Sequence, residues 1–257
     1  MSKNVVFMTA VTVPGQESRS APYKYGIKSW KHWCDKNNAE LVVCDQLVFP
    51  LEELKINFHR YYAFDVLDHN EIEYDQILLT DADCIIHPNT PNFFDMSDGK
   101  YTVTRAVGDV DWMIRGIENY SKYLFDGKMF DFCYRYFNAG FQLVNKKHKY
   151  LWNDMMKFYF KHKDQIQWLQ KTYGNGIDQV LVNMIVNLNL KDEEMKFLPY
   201  EFCAVDLHRL EILQDYRFLN CFAGIYQFNA IPGNHNEIYT TMIETTYKKL
   251  FPNDTSI

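Results

Sequence analysis

The chain has 257 residues, of which 47% are hydrophobic and 16% aromatic, so it can bury a sizeable core and is not disordered. Its net charge of −6 argues against a long nucleic-acid track as its binding partner. No apolar run approaches the ~18 residues that span a bilayer, and the six cysteines lack metal-type spacing. The N-terminal apolar run is too short for a signal peptide, so we expect a soluble, cytoplasmic protein with no membrane span.

The first third of the chain predicts strands that alternate with helices. Apolar, β-branched runs predict strands at 5–11, 39–44 and 77–80. Apolar residues at helical spacing predict helices at 23–36 and 58–67. This alternation is typical of a parallel, doubly wound sheet, so the predicted fold class is α/β.

The rest of the chain continues this pattern without a linker or a repeat. Further strands are predicted at 101–107, 137–145, 196–199 and 223–228. Further helices are predicted at 151–168, at 177–187 and before residue 251. We therefore expect one domain over residues 1–257.

Two acidic residues, Asp81 and Asp83, directly follow the apolar run at 76–80. Residues two apart point to the same side of an extended segment, so the two carboxylates lie together. They would lie at the carboxyl end of a buried strand, which is where open α/β sheets bind ligands. Paired carboxylates suit a hard divalent cation and, through it, a phosphate. The alternative is a turn with two solvated acids, because Asp is a common turn residue.

Three further parts of the chain carry side chains that suit ligand binding. Arg60 lies on the helix that precedes the strand. Residues 136–141 read Tyr-Phe-Asn-Ala-Gly-Phe, in which the Ala-Gly pair lets backbone amides approach a ligand. The amide of Asn138 in this segment can both donate and accept hydrogen bonds. Residues 178–183 read Asp-Gln-Val-Leu-Val-Asn, although an Asp at this point is also a common helix N-cap.

Together with residues 74–86, which read Tyr-Asp-Gln-Ile-Leu-Leu-Thr-Asp-Ala-Asp-Cys-Ile-Ile, these segments resemble the nucleotide-sugar glycosyltransferases of the GT-A fold. The resemblance is closest to family 8, the glycogenin-like and bacterial galactosyltransferase-like retaining enzymes, and it follows the element order over most of the chain. It implies a single GT-A (Rossmann-like) domain with a mostly parallel central sheet. Residues 1–110 would form the nucleotide-binding half and residues 111–257 the acceptor-side half.

The resemblance also implies an activity. It is the metal-dependent transfer of a hexose from a nucleotide-sugar donor, with a UDP-sugar expected and with retention at the anomeric carbon. Mn²⁺ or Mg²⁺ is the implied cofactor, because a bound metal neutralises the charge of the diphosphate leaving group. The acceptor stays open between a glycan, a protein side chain and a modified nucleobase.

The roles that the resemblance implies for single residues fall into three groups. The metal ligands from the paired acids are Asp81 and Asp83. The donor-binding residues are Thr9, Ala10, Val11, Arg60, Asp81, Ala82, Asp83, Asn138, Ala139 and Gly140. Asp178 and Gln179 are expected beside the anomeric carbon, and Asp111, or else Asp109, against the hydroxyls of the donor sugar.

Three positions have alternative interpretations. Arg60 is either a donor contact or a solvated cation of its helix, and Lys55 is a second candidate for the donor contact. Tyr25 either stacks on the nucleotide base or is buried in the core. Sequence alone leaves these alternatives open.

One segment departs from the family pattern. Family 8 usually ends its catalytic core with a motif whose His is the third protein ligand of the metal, followed by Lys-Pro-Trp. Here Gln227 stands at the position of that His, and no Lys-Pro-Trp follows. The third ligand is therefore either Gln227 or, from a shifted loop, His235, and imidazole is a better ligand for Mn²⁺ than a carboxamide.

Two other functions remain as alternatives. The run at 77–84 also resembles the first motif of haloacid-dehalogenase-type phosphatases, although two strands precede it and position 84 is Cys rather than Thr. A non-catalytic relic that binds sugar nucleotides or carbohydrates would retain the same residues. The uncertain third metal ligand favours this second alternative.

Overall fold

The computed structural model describes residues 3–106, 110–205, 207, 223–229 and 235–255, without the side chains of residues 235 and 236. Its strands are β1 (Asn4–Thr9), β2 (Ala39–Cys44), β3 (Gln76–Asp81), β4 (Cys84–Ile86), β5 (Tyr101–Arg105), β6 (Phe137–Asn145), β7 (Met195–Leu198) and β8 (Ile225–Gln227). Its α-helices are α1 (Glu17–Ser20), α2 (Tyr23–Asn37), α3 (Ala63–His69), α4 (Val110–Leu124), α5 (Phe132–Arg135), α6 (Lys149–Lys161), α7 (Lys163–Tyr173), α8 (Gln179–Asn189) and α9 (His235–Leu250). Short 3-10 helices lie at Ile56–Tyr62, Phe94–Met96, Lys146–His148, Asp192–Glu194 and Tyr200–Phe202.

A six-stranded sheet with the order β2-β1-β3-β6-β5-β7 forms the centre of the fold. β1 pairs in parallel with β2 and β3, and β5 pairs in parallel with β7. β6 runs antiparallel to both of its neighbours. The predicted α/β class with a mostly parallel central sheet is therefore confirmed. A second, two-stranded sheet joins β4 to β8.

The two faces of the central sheet bury different helices. Along β1, Val5 and Phe7 pack on the side of α3, α4, α6 and α8. Val6 and Met8 alternate with them and pack against Trp30 of α2 on the opposite side. This alternation follows from the pleat, in which successive side chains point to opposite faces. Both faces are covered, which is why the strands read as continuous apolar runs.

Each predicted strand has a counterpart in the structure. Two predicted helices differ from the observed ones, and one observed helix was not predicted. The helix predicted at 58–67 begins as the 3-10 turn Ile56–Tyr62 and becomes α-helical in α3. The helix predicted at 151–168 is divided into α6 and α7, because the backbone of His162 leaves the helical region, with φ −117°. α4 was not predicted, although its buried residues recur at helical spacing.

Besides the apolar cores on the two faces of the central sheet, a third apolar cluster lies where α9 packs on the small sheet. It includes Ile85 of β4, Tyr226 of β8, and Met242 and Ile243 of α9. Tyr25 of α2 also belongs to this cluster, and its ring lies 5.4 Å from that of Tyr247. Of the two interpretations of Tyr25, the structure therefore supports the buried one. Among the described helices, none is both long and apolar enough to cross a membrane.

Candidate functional site

A cleft of about 290 Å³ opens at the carboxyl ends of β1 and β3. Thr9 and Val11 line it from the end of β1, and Asp81, Ala82 and Asp83 line it from the end of β3. Ligands bind at this edge of an open α/β sheet, because the strand ends and the loops that follow them leave a crevice there. The cleft therefore lies where the paired acids predicted a site.

The pairing of the strands fixes the position of the first acid. Asp81 is the last residue of β3 and lies opposite Thr9 of β1 in the parallel register. The backbone amide of Phe228 donates to the carbonyl oxygen of Asp83 at 3.1 Å, which ties the turn to the small sheet. On the other side, α2 packs so closely that a Cβ on Gly26 would overlap the carbonyl oxygen of Ala82. The turn is thus held from both sides.

Both carboxylate oxygens of Asp81 have a protein partner. The Nη1 of Arg60 lies 2.9 Å from its Oδ1, and the Nε2 of Gln227 donates to its Oδ2 at 2.9 Å. This arrangement requires a glycine at position 140 of the neighbouring strand β6. A Cβ there would lie 2.6 Å from Gln227 Nε2 and 2.7 Å from Asp81 Oδ2. Gly140 therefore shapes the position of Asp81.

Arg60 is buried and bonded almost entirely to the protein. Besides Asp81, its Nη1 donates to the carbonyl oxygen of Ala139 at 3.3 Å, and its Nε donates to that of Asn57 at 3.0 Å. Its Nε also lies 3.7 Å from the carboxylate of Asp178. Burial opposes the charge of the guanidinium, but the carboxylates of Asp81 and Asp178 outweigh it and raise the pKa of Arg60. Arg60 therefore stays charged while it lines the cleft.

Asp178 and Gln179, at the start of α8, lie behind Arg60. Asp178 is 5% exposed and accepts a hydrogen bond of 3.0 Å from the hydroxyl of Tyr61. Burial raises the pKa of Asp178, and Arg60 and Tyr61 oppose that rise. The Oε1 of Gln179 accepts from the amide of Ala139 at 3.2 Å. The structure therefore brings this predicted pair next to Arg60, but neither residue lines the cleft.

α8 is fastened to β6 by one amide side chain. The Oδ1 of Asn183 accepts from the backbone amide of Phe137, and its Nδ2 donates to the carbonyl oxygen of the same residue, both at 2.9 Å. This double contact fixes the register of the helix against the strand. The position of Asp178 and Gln179 relative to the paired acids follows from it.

Asn138 also lies behind the cleft rather than in it. Its Nδ2 donates to the Oε1 of Gln227 at 2.7 Å and lies 3.3 Å from the sulfur of Cys203. Its Oδ1 accepts from the amide of Gly140 at 3.0 Å. Since Gln227 in turn bonds Asp81, Asn138 acts on the paired acids through Gln227. Both ends of the Gln227 amide are used in these contacts, which favours a positioning role for it over metal ligation.

Asp83 faces the cleft from the far side of the turn. Burial and the charge of Asp81 raise its pKa, and Arg19 and Arg60 partly offset that rise. Arg19 of α1 and Tyr23 of α2 line the cleft beside it. The sequence identified neither as a site residue, because the segment at 12–22 carries no motif and Tyr23 only marks the start of the helix predicted at 23–36.

Several predicted residues lie elsewhere or outside the described residues. Asp111 lies in the first turn of α4 and pairs with Arg115 at 2.9 Å, and its side chain is 76% exposed. Lys55 donates to the Oε1 of Gln170 at 2.7 Å, and neither it nor Asp111 lines the cleft. Asp109 and the side chain of His235 fall outside the described residues. The roles predicted for these four residues stay predictions.

The donor set of the cleft fits a magnesium or manganese ion that is shared with a ligand. Within the described part of the chain, no group of three or more His, Cys, Asp or Glu side chains could hold a metal alone. Asp81 and Asp83 nevertheless offer two hard carboxylates on one cleft. Mg²⁺ is commonly held by one or two carboxylates, with substrate phosphates and water completing its shell, and carboxylates suit Mn²⁺ as well.

Comparison with known proteins gives a fold but no family. No protein-family model matches the chain, and no curated protein matches it. Among solved structures, it is similar to a glycosyltransferase involved in the glycosylation of the major capsid of PBCV-1, with a TM-score of 0.60 and 12% identity. This alignment covers 94% of the present chain and 98% of the other.

Two further glycosyltransferase structures align with TM-scores of 0.49. One is the apo form of GlyE from Streptococcus pneumoniae TIGR4, at 14% identity over 98% of the present chain and 64% of GlyE. The other is apo mouse xyloside xylosyltransferase 1, at 12% identity over 90% of this chain and 100% of that one. The fold assignment rests on the PBCV-1 glycosyltransferase alone. The chain therefore has a GT-A-like glycosyltransferase fold.

Proposed function

We propose that this protein is a glycosyltransferase that transfers a hexose from a UDP-sugar to an acceptor, with the help of a divalent cation. The observation that carries the proposal is the cleft at the carboxyl ends of β1 and β3, where Asp81, Asp83 and Arg60 meet. A diphosphate is commonly held by positive charge and a divalent cation, and this cleft has a guanidinium group and two carboxylates that would hold such a cation. The GT-A-like fold supports the same conclusion.

Different residues of the cleft would contact different parts of the donor. Asp81 and Asp83 would hold Mn²⁺ or Mg²⁺, which neutralises charge on the diphosphate when it is bound. The end of β1, from Thr9 to Val11, would hold the base and the ribose. Arg60 keeps Asp81 in place and adds positive charge to the cleft.

The proposed retention at the anomeric carbon depends on Asp178 and Gln179. Both lie directly behind residues near the cleft. Asp178 lies beside Arg60, and Gln179 accepts a hydrogen bond from the backbone amide of Ala139. A retaining enzyme needs a nucleophile or an oriented dipole on the far face of that carbon. Nuclear magnetic resonance of the product would show the anomeric configuration, and inversion would contradict this part of the proposal.

Two assays separate the proposal from its alternatives. A thermal-shift screen of UDP- and GDP-sugars with Mn²⁺ should identify a donor, because selective binding raises the apparent stability. The purified protein should then release UDP and free hexose slowly from that donor in water. A phosphatase would instead release phosphate from simple phosphate esters. A relic would bind the donor without hydrolysing it, and either outcome would contradict the proposed activity.

A further inference from the structure

The cleft contains a second arginine, Arg19, that no motif singles out. It lies in α1, in the segment between β1 and α2, far along the chain from Arg60. Its side chain lines the same cleft as Asp81, Asp83 and Arg60. The cleft therefore holds a second guanidinium group besides that of Arg60, which already pairs with Asp81.

Local hydrogen bonds hold the backbone that presents Arg19. Its amide donates to the carbonyl oxygen of Gln16 at 3.0 Å, and the amide of Gly15 donates to Oε1 of Glu17 at 2.9 Å. Thr12 and Ser20 close the same turn through their hydroxyls at 2.9 Å. Position 19 is thus fixed at the mouth of the cleft by contacts that do not involve the Arg19 side chain.

The two arginines differ in what their side chains already bind. Arg60 is committed to two carboxylates and to two backbone carbonyls. In contrast, no carboxylate of the described residues lies within 4.0 Å of Arg19. Burial opposes its charge, but Tyr23, which shares a hydrogen bond with it, and the charge of Asp83 raise its pKa. Arg19 therefore has donors left for an incoming anion, and a guanidinium suits the oxygen geometry of a phosphate.

One tyrosine lines this part of the cleft, and a second is buried in α9. Tyr23 lines the cleft beside Arg19. Tyr239 of α9 is 7% exposed, and its buried hydroxyl has no hydrogen-bond partner among the described residues. Burial, with the charge of Asp83, raises the pKa of Tyr239, and Arg19 opposes that rise. A buried hydroxyl without a partner is costly, and a bound ligand or water would satisfy it.

We propose that Arg19 binds the diphosphate of the nucleotide donor, on the side of the cleft formed by Asp83 and Tyr23. The inference rests on the proposed function, since it assigns a phosphate contact within the same site.

The test compares the binding of UDP and of uridine by calorimetry in the presence of Mn²⁺. Arg19→Ala should weaken the binding of UDP by about 10- to 100-fold, as expected for the loss of charge-assisted hydrogen bonds. The binding of uridine, which has no phosphate, should stay unchanged. Arg19→Lys should recover part of the loss, because lysine keeps the charge without the planar fork.

Lys24→Ala is the matched control, because it removes one exposed positive charge five positions away without altering the lining of the cleft. It should bind UDP like the wild type. Arg19→Ala binding UDP within twofold of the wild type would overturn the inference alone. An equal loss for UDP and uridine would show a structural role instead and would also overturn it. A wild-type protein that binds neither UDP nor another nucleoside diphosphate would overturn the proposed function and this inference together.

Discussion

At the scale of single residues, the site depends on how tightly Asp81 is held. Its two oxygens are bonded to Arg60 and to Gln227, and Gln227 is bonded in turn to Asn138. The sequence predicted that Asp81, Asp83 and Arg60 share a site, because the residue types of the motifs and their order along the chain are visible in the sequence. It did not predict the role of Gln227, since that role depends on a contact between residues 146 positions apart.

Gly140→Ala tests this arrangement. The new Cβ would lie 2.6 Å from Gln227 Nε2 and 2.7 Å from Asp81 Oδ2, so one of the two side chains must move. We expect calorimetry to show that UDP binds about tenfold more weakly in the presence of Mn²⁺, since a displaced carboxylate loses part of the metal site.

Gly116→Ala is the matched control for that substitution. Its Cβ would lie 2.8 Å from the Val180 side chain, in a helix contact that is not part of the cleft. It should lower the melting temperature because it overpacks the core, but the affinity for UDP should not change. Wild-type affinity in Gly140→Ala would show that the position of Asp81 is not critical.

At the scale of the elements, the strands were more predictable than the helices. A run of apolar residues between turn signals marks a buried strand, and both faces of this sheet are covered. The break at His162 was not predictable, because the apolar pattern continues through it. β4 was also missed, since it is only three residues long and pairs with a strand from the end of the chain.

The junction between β6 and α6 leads to a prediction about pH. His148 is 2% exposed, and its Nδ1 accepts from the amide of Asn145 at 3.2 Å. Burial, helped by Lys147, lowers its pKa to about 4. In the unfolded chain a histidine takes up its proton near pH 6.5, so the unfolded state binds more protons between these two values. His148 therefore lowers the stability of the fold progressively as the pH falls from about 6.5 to about 4.

His148→Gln should reduce this dependence. The variant loses some stability at pH 7, because it alters the turn at Asn145, but its melting temperature should fall less than that of the wild type between pH 7 and pH 5. The raised pKa values of Asp83 and Asp178 act in the opposite direction and are common to both proteins. Equal falls in the two proteins would show that the ring of His148 does not titrate as described.

At the scale of the whole molecule, the alternation of strands and helices was enough to predict the sheet and the edge at which it binds ligands. The other side of the cleft was not predictable, because it is built from Arg19 and Ser20 of α1 and Tyr23 of α2, whose positions depend on tertiary packing. The side of the cleft that carries the paired acids is thus encoded in local motifs. The surface opposite the paired acids depends on tertiary packing. For this reason the positions of Arg19, Tyr23 and Tyr239 near the acids are known only from the structure.

The central claim is that Asp81 and Asp83 hold, through a divalent cation, the diphosphate of a sugar nucleotide that the protein cleaves. The most direct test is the rate of UDP release from the donor found in the screen, at saturating Mn²⁺, for wild type and Asp83→Asn. We expect the rate of UDP release by Asp83→Asn to be about 100-fold lower than that of the wild type, equivalent to a loss of about 2.7 kcal/mol of transition-state stabilisation. Asp164→Asn, the same change at an exposed position of α7, should keep the wild-type rate. An unchanged rate in Asp83→Asn would contradict the account.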